Sequence, residues 1–299
     1  MTRASSLAST GDWRRAAAAR GIGVEDLSRH TGSRLTGIDL AGPLDDDMVG
    51  LLEVAVAERV VLVFPEHGHL TPAGLVGFAD RFDGVFNLHT RRDLCLPAHH
   101  EIFLVGNVDG GSPKVGLNWH SDDYHLAHPG LYTFLHAIIV PPRGGDTTYA
   151  NGIAAFEALA PELRERLGDI RVRHSRRRLF RELFPDATED AVEAEGRKFP
   201  DVVHPLVRVH PVSGRRGLYL GGEWGSAIES DEPDEAAALY ARLLRHLIDG
   251  EYTYTHRWCR GDLLFSDNRC SLHRASEWDT DTDRRLLHRI ILWDTEPPR

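Results

Sequence analysis

The stretch Asn118–His125, NWHSDDYH, sets an imidazole, His120, and a carboxylate, Asp122, two residues apart. In extended backbone the side chains alternate faces, so His120 and Asp122 project to one side while Ser121 points away. The same alternation puts Asp123 off that face, and His125 and His128 belong to the turn that follows. Trp119 is expected to pack behind the ligand strand. Two ligands of a metal site are thus in place, and a third must come from elsewhere in the chain.

His273 is the candidate, 151 positions beyond Asp122 in FSDNRCSLHRAS. Two imidazoles and one carboxylate on one face of an octahedron, with the remaining positions open, are the ligand set of non-haem Fe(II) oxygenases. In a chain with 17 histidines, H-x-D carries little weight alone; its company adds more. Thr147 follows a Gly-Gly-Asp turn in PPRGGDTTYANG, and Arg285 and Arg289 stand four apart in DRRLLHRIILW, on one face if that segment is a strand. A planar guanidinium grips a carboxylate through two parallel hydrogen bonds, which suits a diacid cosubstrate. Two rival classes share parts of this pattern. A zinc hydrolase could use the same ligands to activate water, and a cupin-like binding protein would need the fold without turnover. Neither accounts for the Thr/Arg diacid clamp.

Several segments, in order, resemble the taurine dioxygenase (TauD/TfdA) family of Fe(II)- and 2-oxoglutarate-dependent oxygenases. They are GIDLAGPLDDD, VVLVFP, FDGVFNLH, NWHSD, GGDTTYANGIAAFEALAPELR, VVHPLVRVHPVSGRRGLYL, WCRGDLLFSDNRCSLH and RRLLHR. The resemblance implies an α+β fold, a double-stranded β-helix (jelly roll) core with flanking helices. It implies Fe(II) on His120, Asp122 and His273, with 2-oxoglutarate and dioxygen as cosubstrates. Thr147 and Arg285 would hold the distal carboxylate of 2-oxoglutarate, and Arg289 would meet the substrate's anion near the cosubstrate. His89 matches a histidine that touches the anionic end of the substrate. Relatives with a small residue in place of Asp122 halogenate, so a carboxylate there implies hydroxylation or desaturation, with release of succinate and carbon dioxide. Arg92 stands where taurine-binding members carry a tyrosine, and Gly116 and Leu117 also depart from their pattern. These departures count against taurine itself, and the implied substrate is a small organic anion, met in secondary metabolism or, alternatively, in sulfonate and sulfate-ester scavenging.

The rest of the chain is read as scaffold. Its 299 residues, 41% hydrophobic, suffice for one domain over 23–299 after a flexible tail or short helix at 1–22. The net charge of −10 is spread without basic blocks, which argues against nucleic acid as a partner. Cys95, Cys259 and Cys270 have no C-x-x-C spacing and read as ordinary buried thiols of a cytoplasmic protein. No apolar run approaches a membrane span or signal peptide. Helices are expected after Asp45, over 71–82 with Thr71 capping, and from Asn151 onward past Pro161. A hairpin bends at Ser213-Gly214. The charged stretch 174–203 is long enough for a lid. Whether the chain forms a homo-oligomer is not written in the sequence.

Overall fold

The computed structural model describes residues 12–88, 92–108, 110–111 and 116–299. His89 and Arg91 lie outside the described residues. Helix α1 (Asp12–Ala19) comes first, then strands β1 (Gly23–Asp26) and β2 (Ser33–Thr36) and helix α2 (Asp46–Arg59). Of the two expectations for 1–22, a flexible tail or a short helix, α1 is a short helix that docks on the body: Trp13 is fully buried and its indole N–H donates to Glu58 Oε2 on α2 at 2.9 Å. Asp45 caps α2 by accepting from the Met48 amide at 2.8 Å, and Asp46 and Asp47 complement the positive end of the helix dipole. Strand β3 (Val61–Phe64) is buried throughout, and helix α3 (Pro72–Ala79) is capped by Thr71 with Pro72 at its first position.

Next come β4 (Val85–Phe86), β5 (Cys95–Leu96), β6 (His99–Gly106), β7 (Gly130–Ile139) and β8 (Thr147–Asn151). Asn151 caps helix α4 (Gly152–Glu157) as expected, accepting from the amides of Ile153 and Ala154. The helix does not continue past Pro161. It stops, and α5 (Pro161–Arg166) begins anew, because the proline ring would clash with the Glu157 carbonyl and it has no N–H to donate there. Ala160 accordingly leaves the helical region, with φ −56 and ψ 141.

The second half contains β9 (Arg171–His174), α6 (Arg176–Leu183), α7 (Glu189–Lys198), β10 (Val202–Pro205), β11 (Val207–Val209), β12 (Arg216–Leu218), β13 (Ser226–Ile228), α8 (Pro233–Ile248), β14 (Thr253–His256), β15 (Leu263–Asp267), β16 (Ser271–Ala275) and β17 (Leu286–Trp293). Strands β11 and β12 form the expected hairpin, with Gly214 at φ +67 in the bend. The charged stretch 174–203 is a helical hairpin whose arginines face glutamates across it, Arg176 to Glu195 at 2.8 Å and Arg177 to Glu193 at 2.9 Å.

The architecture is a jelly roll. The major sheet runs β1-β2-β3-β15-β7-β17-β6-β5, with β4 added at β17, and a smaller sheet, β14-β8-β16, faces it. Along the major strands, alternate residues serve opposite sides. Leu62, Phe64, Phe134, Phe265, Ile290 and Leu292 pack outward on α2 and α3. Val61, Val63, Leu135, Leu264 and Leu287 point inward, where Tyr149 and Trp258 of the opposing side meet them. Thr133 and Arg289 have the inward parity, which brings polar groups to one end of the interior. Cys259 is exposed, unlike Cys95 and Cys270, since it sits in the turn after β14 rather than on a packed face.

Candidate metal centre

His120 and His273 are joined by the backbone itself. The two residues form an isolated antiparallel bridge, His120 N–H to His273 O at 2.9 Å and His273 N–H to His120 O at 2.7 Å. This pairing, between the loop ahead of β7 and strand β16, closes a gap of 153 residues and brings the imidazoles together at a tilt of 47°, centroids 4.3 Å apart. Asp122 completes the cluster: its Oδ2 lies 3.7 Å from His273 Nε2 and its Oδ1 3.9 Å from His120 Nε2. The three donor atoms all lie within 4.8 Å of one another.

The donor set fits a divalent transition metal. Neighbouring donors around an octahedral ion bound at about 2.1 Å lie roughly 3 Å apart, so side-chain shifts that bring the donors together by up to ~2 Å would close the shell. The nitrogen assignments agree. His120 Nδ1 faces the Asn118 carbonyl at 2.8 Å and must carry the proton there, which leaves Nε2 with its lone pair toward the cluster. Burial, with His120 acting in the same direction, pushes His273 down to about 3, so its imidazole is neutral and able to ligate. Asp122 is 3% exposed. Burial alone would raise its carboxyl, but Arg289, the two histidines and the Thr133 hydroxyl outweigh it and hold the group below the usual carboxylate range. Gly116, at φ +79, is needed beside the site, because a Cβ there would stand 3.1 Å from His120 Cε1.

A second cluster, His210, Asp267 and Cys270, has ligand types at comparable spacing, yet it is already saturated. The Asp267 carboxylate accepts from His210 Nε2 at 3.0 Å and from Arg269 Nε and Nη2 at 2.9 and 2.6 Å. An ion there would have to displace three hydrogen bonds.

Of the two arginines singled out in the sequence, Arg289 touches the first cluster and Arg285 lies near Tyr149, whose ring stacks on His273. Arg285, just before β17, is 2% exposed. Its Nε donates to the Gly145 carbonyl at 3.2 Å, its guanidinium lies 5.1 Å from the Trp278 ring centre, and its Nη1 has no partner among the described residues. Burial pushes this cation down to about 10. Arg289 is four residues further on, over the Phe103 ring at 4.7 Å, with Nη1 3.4 Å from Asp122 Oδ1 and Nε unpartnered among the described residues. The sequence pointed Arg289 at a substrate anion; its contact with the metal-site carboxylate was not anticipated. Thr147 opens β8, where its hydroxyl accepts the Trp258 indole N–H at 3.1 Å. Tyr149, two residues on, stacks on His273 with centroids 5.6 Å apart.

The remaining polar neighbours of the motif take supporting places. Asp123 Oδ2 is held by Asn87 and Trp293, each at 2.7 Å, and the backbone at Asp123 is left-handed at φ +53. His125 packs on Phe199, which follows α7, centroids 5.6 Å apart, rather than on the cluster. His128 and Arg92 are exposed. Trp119 is buried behind His120 with Arg274 over its ring at 4.9 Å. Sequence reading missed Thr133 and Trp258; the inward parity of β7 is the one signal for Thr133.

A family model described as taurine catabolism dioxygenase TauD, TfdA family, matches residues 23–291. The chain is 39% identical over 168 residues to an alpha-ketoglutarate-dependent 2,4-dichlorophenoxyacetate dioxygenase of Cupriavidus pinatubonensis, a match that spans 56% of this chain and 57% of that enzyme. It is 31% identical to an (S)-phenoxypropionate/alpha-ketoglutarate-dioxygenase of Sphingobium herbicidovorans, over 86% of this chain and 88% of that enzyme. Among solved structures, AAD-2 in complex with Mn(II) and N-oxalylglycine superposes with a TM-score of 0.78 at 29% identity, covering 93% of this chain and 99% of that one. The jelly roll, the His-Asp-His cluster and the family match over residues 23–291 place the chain in the TauD/TfdA family of dioxygenases, oxidoreductases that use Fe(II), 2-oxoglutarate and dioxygen.

Proposed function

We propose that His120, Asp122 and His273 hold the iron, that Arg285 and Thr147 hold the distal carboxylate of 2-oxoglutarate, and that the primary substrate is a small carboxylic acid. The observation that carries this reading is a buried guanidinium with one unpaired Nη1 at Arg285, near Tyr149, whose ring stacks on the cluster's His273. A cation left with an open donor in a dry interior is costly unless an anion completes it.

Bound iron supplies the redox chemistry, in which 2-oxoglutarate loses carbon dioxide to become succinate and a substrate carbon is oxidised. The protein's part is positional. Arg285 presents a fork whose geometry matches a carboxylate. Thr147, already accepting from Trp258, has its own hydroxyl proton left to give to a carboxylate oxygen. Arg289, with Nε unpaired toward the interior, is the group available for the anionic end of the substrate, with His89 as its proposed companion. Both relatives described above act on phenoxy carboxylates by name, which favours a carboxylate over a sulfonate or sulfate ester here. The helical hairpin within 174–203 is proposed to cover the site.

Anaerobic addition of Fe(II) and 2-oxoglutarate should produce a weak visible charge-transfer band. Succinate release across a panel of aryloxy carboxylates, alkyl sulfonates and sulfate esters should be highest with the carboxylates. Absence of the band would overturn the cosubstrate assignment, and turnover confined to sulfonates or sulfate esters would overturn the substrate class.

A further inference from the structure

The buried turn between β15 and β16, residues 268–270, reaches the metal centre through a side chain that is not itself a ligand. Asn268 is fully buried, and its Oδ1 accepts the backbone N–H of Asp122 at 3.1 Å. That bond fixes which end of the amide is which, so Nδ2 must face the other way, where it donates to Thr133 Oγ1 at 2.8 Å. Thr133, 1% exposed on the inner face of β7, then has a single proton left, and it goes to Asp122 Oδ2 at 2.6 Å. The relay has one possible polarity from backbone amide to carboxylate. We infer that Asn268 and Thr133 are positioning residues that set the rotation of the Asp122 carboxylate, and hence the oxygen it offers to iron.

The turn is built to hold this alignment. Asp267 is pinned by His210 and by two nitrogens of Arg269, whose guanidinium also lies 4.8 Å from the Tyr132 ring centre. Ser121, between the two ligands of the motif, donates to the Asn268 carbonyl at 2.8 Å. The Asn268 amide itself donates to the Leu131 carbonyl at 3.0 Å, and the Gly130 amide to the Asp122 carbonyl at 3.1 Å. Gly130 has no room for a side chain: a Cβ would stand 2.6 Å from the Asp122 carbonyl oxygen and 3.2 Å from Asn268 Nδ2. Each oxygen of Asp122 has a partner, Oδ2 the Thr133 hydroxyl and Oδ1 the Arg289 guanidinium at 3.4 Å. Removing the Thr133 hydroxyl strands the Asn268 Nδ2 donor and lets the carboxylate rotate toward Arg289.

This inference rests on Asp122 being a ligand, so the test separates the two. Fe(II) affinity is measured anaerobically by competition with a chromophoric chelator in Thr133→Val, Thr133→Ser, Asn268→Asp and Asp122→Ala, with apo-protein unfolding recorded for each. The charge-transfer band with 2-oxoglutarate is followed in parallel. Outer partners of metal ligands change affinity by about 10- to 100-fold. Thr133→Val and Asn268→Asp should weaken Fe(II) binding within that range and shift or broaden the band, while Thr133→Ser, which keeps the hydroxyl, restores both. Asn268→Asp also serves if Thr133→Val does not fold. If Asp122→Ala loses Fe(II) but folded Thr133→Val and Asn268→Asp bind it as the parent does, the positioning role is overturned and the ligand stands. If Asp122→Ala itself binds Fe(II) normally, the ligand assignment fails.

Discussion

Replacing Arg285 by methionine should make the empty protein more stable and the enzyme unable to hold its cosubstrate. The guanidinium is 2% exposed, has no carboxylate partner among the described residues, and is pushed down to about 10 by burial, against an ordinary value above ~12. By linkage that depression represents roughly 3 kcal/mol of instability at neutral pH, present at every pH below about 10 and relieved only where the group deprotonates. Removing the cation relieves it. It also removes the bond to the Gly145 carbonyl, about 1 kcal/mol, and the contact with the Trp278 ring, about 0.5–1 kcal/mol. A net gain of about 1 kcal/mol in the urea unfolding free energy of apo Arg285→Met follows. The cosubstrate loses two charge-assisted bonds at about 1.5–3 kcal/mol each, so its affinity should fall by about 100-fold or more. Arg285→Lys keeps the charge without the fork and should fall in between. Thermal shift separates the readouts, since 2-oxoglutarate should raise the melting temperature of the parent and leave Arg285→Met unmoved. Parental affinity for 2-oxoglutarate in Arg285→Met, or a loss of apo stability larger than ~2 kcal/mol, would refute the reasoning.

Acid should weaken the fold around α6 and α7 before carboxylates protonate. Burial, with Arg176 adding to it, pushes His125 down to about 3, and burial lowers His174 and His204 as well, the last also facing Arg208. The unfolded chain takes up these protons near pH ~6.5 while the folded one does not, so stability is intact above that pH and declines as pH falls toward about 3. Each histidine contributes up to ~1.4 kcal/mol per pH unit in that window; urea midpoints that stay flat between pH 6.5 and 4 would contradict this. For the helical hairpin, limited proteolysis near Phe184–Thr188 should slow when Fe(II), 2-oxoglutarate and a turned-over acid are added together, and an unchanged cleavage rate would argue against a covering role.

Local chemistry was legible from the residues alone. Asp45, Thr71 and Asn151 cap the helices they precede, because a short side chain that accepts from the following amides acts within three residues. The metal motif was legible for the same reason: extended backbone would put His120 and Asp122 on one side, and the two do converge, although only His120 pairs with another strand and Asp122 already begins a turn. Pro161 was misjudged only in that its break in the helix was not applied.

What the sequence determined by itself, then, was the inventory of ligands, caps and strands, since each is a matter of neighbours along the chain. Only the tertiary structure decided what those groups face. The backbone pairing of His120 with His273, the Trp13 anchor on α2, the Arg289 contact with Asp122 and the Asn268 bonds to Asp122 and Thr133 join residues 45 to 167 positions apart. Such contacts depend on sheet register, and register is set by the packing of a whole face, not by any one segment.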